Sequence, residues 1–202
     1  SVYDTWNGDK KHYLDLVFRA GRINNDYTAF NNNSEAVNAD FHNYFFSVSG
    51  EWGRRNDMKD NWYFEPQSQL QIAHVGGADY TTSNGIRVSQ DSTNSIIGRI
   101  GFRLGHELPK TKDNRISNVY FKADLLHEFS GDRGLRAYDG TDNIEKTYKG
   151  PKTWMDLGLG TDISLGHNRH FWADVERSFG SGMSATWQAN IGFRWDLDKE
   201  VK

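Results

Sequence analysis

From residue 186 to 197 the chain alternates strictly: Trp187, Ala189, Ile191, Phe193, Trp195 and Leu197 share one parity, and Gln188, Asn190, Gly192, Arg194 and Asp196 share the other. A period of two marks a β-strand whose faces meet different surroundings. The same alternation predicts eight strands, at 12–22, 41–54, 62–74, 95–108, 118–129, 154–165, 170–179 and 186–197, after an extended stub at 2–6. Leu16 and Phe18, Phe46 and Val48, Leu70 and Ile72, Phe102 and Leu104, Phe121 and Leu125, Leu157 and Leu159, and Ala173 and Val175 carry the apolar parity. Pro66 has no N–H to give a ladder, so it is expected at a bulge or near a strand end.

The segments between these strands also alternate. Those at 23–40, 75–93 and 130–153 are long and read as loops, whereas those after the second, fourth and sixth strands are short. Strands of about ten to fourteen residues suit a tilted bilayer span. A soluble sandwich favours strands nearer six residues and no such loop parity. The expected fold is therefore all-β, an antiparallel up-and-down transmembrane β-barrel.

Charge sharpens that expectation. The polar parity holds Asp15, Arg19, Glu51, Glu65, Arg99, Arg103, Glu107, Lys122, Asp124, Glu128, Asp156, Asp162, Asp174, Glu176, Arg194 and Asp196. In a dry core each ion costs several kcal/mol unless it is paired, and a hydrated lumen removes that cost. Glu65, Gln69, Arg99, Arg103, Lys122, Asp124, Glu128, Asp156, Asp174, Glu176 and Arg194 are accordingly expected to line a lumen. Tyr44, Trp52, Trp187 and Trp195, near strand ends, suit interfacial girdles.

Composition agrees with one domain of β structure: 202 residues with 20 glycines, 3 prolines and 14% aromatics. A mean hydropathy of -0.78 does not exclude a barrel, which needs apolar residues only at alternate positions. No run of eighteen apolar residues offers a spanning helix, and no signal peptide opens the chain. The net charge of -3, without a basic stripe interleaved with aromatics, points away from nucleic acid. The absence of cysteine excludes disulfides and thiolate chemistry. His127-Glu128 does not continue into HExxH, and neighbours on a strand face opposite ways. Ser178 and Asp174 lie in no G-x-S-x-G elbow. His106 falls on the apolar parity near the short-turn rim. No catalytic residue, metal or cofactor is expected.

Six stretches resemble the C-terminal translocator β-domain of autotransporters, the type V secretion family, in the family's order: 63–70 (YFEPQSQL), 82–88 (TSNGIRV), 98–103 (GRIGFR), 123–129 (ADLLHEF), 173–180 (ADVERSFG) and 187–195 (WQANIGFRW). Residues 3–6 with Gly8 and residues 13–15 extend the resemblance over nearly the whole chain. The resemblance implies a twelve-stranded barrel in the Gram-negative outer membrane, a helical linker through the pore and an N-terminal passenger in the same precursor. About eight strands lie in this chain, so roughly four strands and the linker are expected on the N-terminal side. It also implies contact with outer-membrane lipid, lipopolysaccharide and the barrel-assembly machinery. Phe193, Trp195 and Leu197 take the position of the family's terminal assembly signal. Some family members cut their own linker with a linker asparagine and acidic lumen residues; Asp124, Glu128, Asp156, Asp174 and Glu176 are the acidic set here. The implied role is export and anchoring of a passenger, without enzymatic turnover. The rival readings are an outer-membrane barrel enzyme of the protease or lipase kind and a soluble ligand-binding β-barrel.

Overall fold

A computed structural model describes residues 1–109, 117–166, 169–180 and 186–195. Its strands are β1 (Val2–Asn7), β2 (His12–Phe30), β3 (Ala36–Arg54), β4 (Asn56–Asp57), β5 (Trp62–Val75), β6 (Ala78–Thr81), β7 (Arg87–Gln90), β8 (Thr93–Glu107), β9 (Asn118–Glu128), β10 (Arg133–Tyr138), β11 (Asn143–Tyr148), β12 (Thr153–Gly166), β13 (Arg169–Gly180) and β14 (Trp187–Trp195). The main sheet is an antiparallel meander in the order β1-β2-β3-β5-β8-β9-β12-β13-β14, with β4 paired to β5. Neighbours in sequence are neighbours in space, as short hairpin links require. The extended stub proves to be a paired strand, joined to β2 from Val2 opposite Phe18 to Asn7 opposite Tyr13.

The tight turns lie at one rim. Lys10 and Lys11 between β1 and β2, and Asp60 and Asn61 between β4 and β5, have positive φ, the left-handed conformation that two-residue hairpins use. Pro66 sits where the ladder on its β3 side is interrupted. Pairing stops at Gly53 opposite Gln67 and resumes at Asn56 opposite Phe64. The intervening Arg55 N–H turns to the carbonyl of Lys11.

The three long segments are not plain loops, which corrects the expectation from alternation. β2 and β3 continue as one hairpin as far as Phe30 opposite Ala36. The other two segments fold into the hairpins β6–β7 and β10–β11, which join as a second sheet of order β11-β10-β7-β6. Polar side chains bridge the β2–β3 extension: Asn25 Nδ2 donates to Asn43 Oδ1 at 3.0 Å, and the Thr28 hydroxyl to Asn38 Oδ1 at 2.8 Å. Val37 and Ala39 alternate with Asn38 and Asp40 and are buried, as is Val88 of β7, but these apolar runs are short and set among Asn, Asp and Gly, so the segments read as loops.

Burial is inverted relative to a soluble protein. Among the described residues the buried hydrophobics are Val37, Ala39, Tyr63 and Val88, while Asn43, Glu65, Gln67, Asp124 and Glu128 are also buried. Phe46, Leu70, Ile100, Leu125, Leu159 and Ile191 are exposed on the opposite parity. In a single sheet with nothing packed on either side, side chains bury one another only on the concave face. The concave face is therefore the polar one, and the convex face presents a continuous apolar patch far larger than a soluble monomer tolerates. A soluble barrel with an apolar interior does not fit this arrangement.

Candidate functional site: the polar inner face

The register places the ionic residues in rows across the inner face. Glu51 on β3 lies opposite Gln69 on β5, and Gln69 opposite Arg99 on β8. Arg99 engages all three guanidinium nitrogens: Nη2 to Glu51 Oε2 at 2.6 Å, Nε to Gln69 Oε1 at 3.0 Å, and Nη1 to Asp124 Oδ1 at 3.1 Å. Planar, forked donors of this kind suit several carboxylates at once. Lys122, in register with Arg103, lies 2.5 Å from Glu176 and 3.9 Å from Asp124, which links it to Arg99. Nearer the short-turn rim, the Tyr13 hydroxyl donates to Glu51 at 2.8 Å, and Gln67 Nε2 donates to Tyr13 Oη and Glu65 Oε1, each at 2.7 Å. Arg103 approaches Glu65 at 3.9 Å.

Glycines make room for this chemistry. Tyr13, Tyr63, Tyr120 and Trp172 lie directly opposite Gly53, Gly105, Gly160 and Gly192. A Cβ on any of these glycines would stand 2.1–2.4 Å from the facing ring. Asp124 likewise covers Gly101, whose Cβ would fall 2.0 Å from its Oδ1. The aromatic rings thus fold down over bare backbone and stay out of the space above the sheet.

Of the residues expected to line a lumen, Glu65, Gln69, Arg99, Arg103, Lys122, Asp124 and Glu176 meet in this connected set. The others lie around it. Asp174 is within hydrogen-bonding reach of Glu176 and accepts from Asn190 Nδ2 at 3.0 Å, and Arg194 is in register with His170. Asp156 lies opposite Asp124 and Ser178, with its Oδ1 buried and without a hydrogen-bond partner among the described residues. Glu128 is a structural anchor at the long-loop rim: it accepts from the Ser95 hydroxyl at 2.5 Å, from the Ile96 N–H at 2.8 Å and from the Ser130 N–H at 3.0 Å. Tyr13 and Trp172 were not singled out by sequence reasoning. The signal for them was a cross-strand glycine, readable only once the register is known. Of the terminal signal, Phe193 and Trp195 are exposed on the convex face, and Leu197 lies outside the described residues.

His127 turns outward, with Nδ1 2.8 Å from Thr153 Oγ1 and its ring 4.6 Å from Phe129. It therefore does not act with Glu128. Among the described residues no cluster of three or more metal-ligating side chains occurs. At the short-turn rim, outside the spans, Lys11 and Arg55 both bind Asp57, and Arg55 also binds Glu107. The hydrogen bond from Lys11, seconded by Arg55, holds the Asp57 carboxyl below its usual range. At the other rim Tyr80 stacks on Phe41 with centroids 4.2 Å apart. Burial there, with a hydrogen bond to Tyr27, pushes the Tyr80 hydroxyl up to about 12.

This arrangement recurs in known proteins. The sequence model described as "Autotransporter beta-domain" matches residues 1–176. The Pertactin autotransporter of Bordetella parapertussis is 32% identical over 193 residues, which make up 96% of this chain and 20% of that protein. The BrkA autotransporter of Bordetella pertussis is 30% identical over 195 residues, 96% of this chain and 19% of that protein. The crystal structure of the β domain of the Bordetella autotransporter BrkA superposes with a TM-score of 0.77 at 27% identity, covering 96% of this chain and 71% of that one. The chain spans about a fifth of the length of these curated relatives. An antiparallel sheet curled around a polar face, matched over most of its length by the family, makes this chain a member of the autotransporter β-domain family, the outer-membrane translocator domains of Gram-negative bacteria.

Proposed function

We propose that this domain anchors in the outer membrane and supports export of a passenger carried in the same precursor, through or alongside its polar inner face, without turning over an external substrate. The observation that carries the reading is the inverted burial: an ion network on the concave face and apolar side chains on the convex one. In this reading Glu65, Gln69, Arg99, Arg103, Lys122, Asp124, Asp156, Asp174, Glu176 and Arg194 line a hydrated lumen that holds an extended or helical segment. Paired ions and folded-down rings present a wall largely satisfied in its hydrogen bonds, with Asp156 Oδ1 and Arg103 Nε the exceptions among these lumen residues, so a passing chain meets few competitors for its own. The convex face meets lipid, with Trp52 and Trp62 at the short-turn rim and Tyr44 and Trp187 at the other as interfacial anchors. Lipopolysaccharide and the barrel-assembly machinery are the expected partners, the latter reading the last strand through Phe193, Trp195 and Leu197.

Leu159, 61% exposed in the middle of the convex face, offers the test. In the full-length protein Leu159→Arg places a charge at mid-bilayer and costs about 2–4 kcal/mol. Assembly should fall, and with it the protease accessibility of the passenger on intact cells. Normal assembly and display would overturn the assignment of the convex face to lipid.

A further inference from the structure

Arg177 breaks the apolar parity of β13. It lies directly opposite Leu157 on one side and Trp187 on the other, so it shares the convex face with them. Its guanidinium carbon is 5.0 Å from the Phe179 ring centroid and 5.1 Å from that of Trp187. Two aromatic faces therefore hold one cation. Its Nε is buried and has no hydrogen-bond partner among the described residues. The site is three residues from the long-loop end of β13, at Gly180, and beside the first residue of β14. At about 3.3 Å per residue along a tilted strand, this is within a long side chain's reach of the membrane interface. The flanking aromatics mark the same level.

We propose that Arg177, held between Phe179 and Trp187, binds the phosphate of an anionic lipid headgroup in the leaflet at the long-loop rim. The rings and strands close off Nε, whereas Arg177 as a whole is only half-buried, so the outer edge of the guanidinium is what an acceptor from outside would meet. A guanidinium fork matches phosphate oxygens bidentately, and the two rings shield that contact from water. The lipid phosphate is favoured over a soluble anion because the site opens onto the apolar convex face. There, acyl chains cover Leu157 and Met155, and a free anion would be left without solvent.

The inference rests on the assignment of the convex face to lipid. Leu159→Arg tests that assignment separately, through assembly, whereas Arg177→Gln is expected to assemble normally. The full-length protein, purified in detergent, is titrated with phosphatidylglycerol or with diacylglycerol, which lacks the phosphate, and bound lipid is counted by native mass spectrometry. Arg177→Gln should weaken phosphatidylglycerol retention about fivefold and leave diacylglycerol unchanged. Arg177→Lys, which keeps the charge and loses the fork, should fall between, and Trp187→Leu should weaken retention with the arginine intact. Circular dichroism confirms that each variant is folded. Unchanged phosphatidylglycerol retention in Arg177→Gln overturns the proposal, as does an equal loss of diacylglycerol. Displacement of the lipid by inorganic phosphate at similar concentration would instead mark a soluble-anion site and also overturn it.

Discussion

Lys122 on β9 and Glu176 on β13 meet at 2.5 Å across β12, a strand to which neither belongs. The residue between them is Gly158, in register with both. A Cβ there would stand 2.9 Å from Glu176 Cγ and 3.1 Å from Lys122 Cε. The ion pair closes over the strand because the strand has no side chain at that point. Gly158→Val is expected to part the pair and lower stability by about 1–3 kcal/mol, through crowding and the loss of a half-buried contact. Denaturant unfolding of the full-length protein in detergent measures it, and an unchanged midpoint would mean that the two side chains simply swing aside.

Gly192 and Trp172 pose the same question for an aromatic lid. A Cβ on Gly192 would lie 2.1 Å from the indole Cε2. Gly192→Ala should therefore destabilise, whereas the loop substitution Gly150→Ala, with open space around the Cβ, should not. In a double-mutant cycle, Trp172→Leu should relieve Gly192→Ala, with a coupling of about 0.5–3 kcal/mol. Additive effects would place the strain in the backbone and not in the ring.

The outer sheet hangs on a ring stack. Phe41 of β3 and Tyr80 of β6 are parallel to within 3°, and Tyr27 meets Tyr80 edge-on. Phe41→Ala should cost about 0.5–1.5 kcal/mol beyond its area term. Faster hydrogen exchange over residues 78–90, with β8 and β9 unaffected, is the expected readout. Uniform change across the barrel would count against a local anchor.

Acid should loosen the short-turn rim. Lys11 and Arg55 depress the Asp57 pKa from its usual 3.8. A depressed carboxyl adds stability that is fully present above the unfolded value and lost as pH falls through the folded one. The pair is largely exposed, so its worth is about 0.2–1 kcal/mol. Wild type should exceed Asp57→Asn by that margin above about pH 5, and the two should converge on acidification below about pH 4. A gap that persists at low pH would point to a role other than charge.

How much of this was written in the residues can be traced element by element. Leu159 beside Gly158 and Gly160, or Phe121 between Tyr120 and Lys122, declare their faces by parity, because lipid and water enforce opposite chemistries at every step of a spanning strand. The spanning strands and their hairpin order therefore emerge from the sequence to within a few residues. In the Asn-rich end of the β2–β3 hairpin and in β6, β7, β10 and β11 the apolar positions, such as Val37, Ala39 and Val88, are too few and too scattered among Asn, Asp and Gly to declare a period, and those strands read as loops.

Pairing across strands lies beyond any single stretch. The sequence alone determined an all-β chain with one apolar and one charged face, and the set of ions on that face. Only the tertiary structure decided that Arg99 would bind Glu51, Gln69 and Asp124 together, that Tyr13 would fold over Gly53, and that Arg177 would rest between Phe179 and Trp187. The physical reason is that alternation records which medium a side chain faces, a local property. Ion pairs and ring lids depend on register and curvature, which arise only when strands distant in sequence are laid side by side.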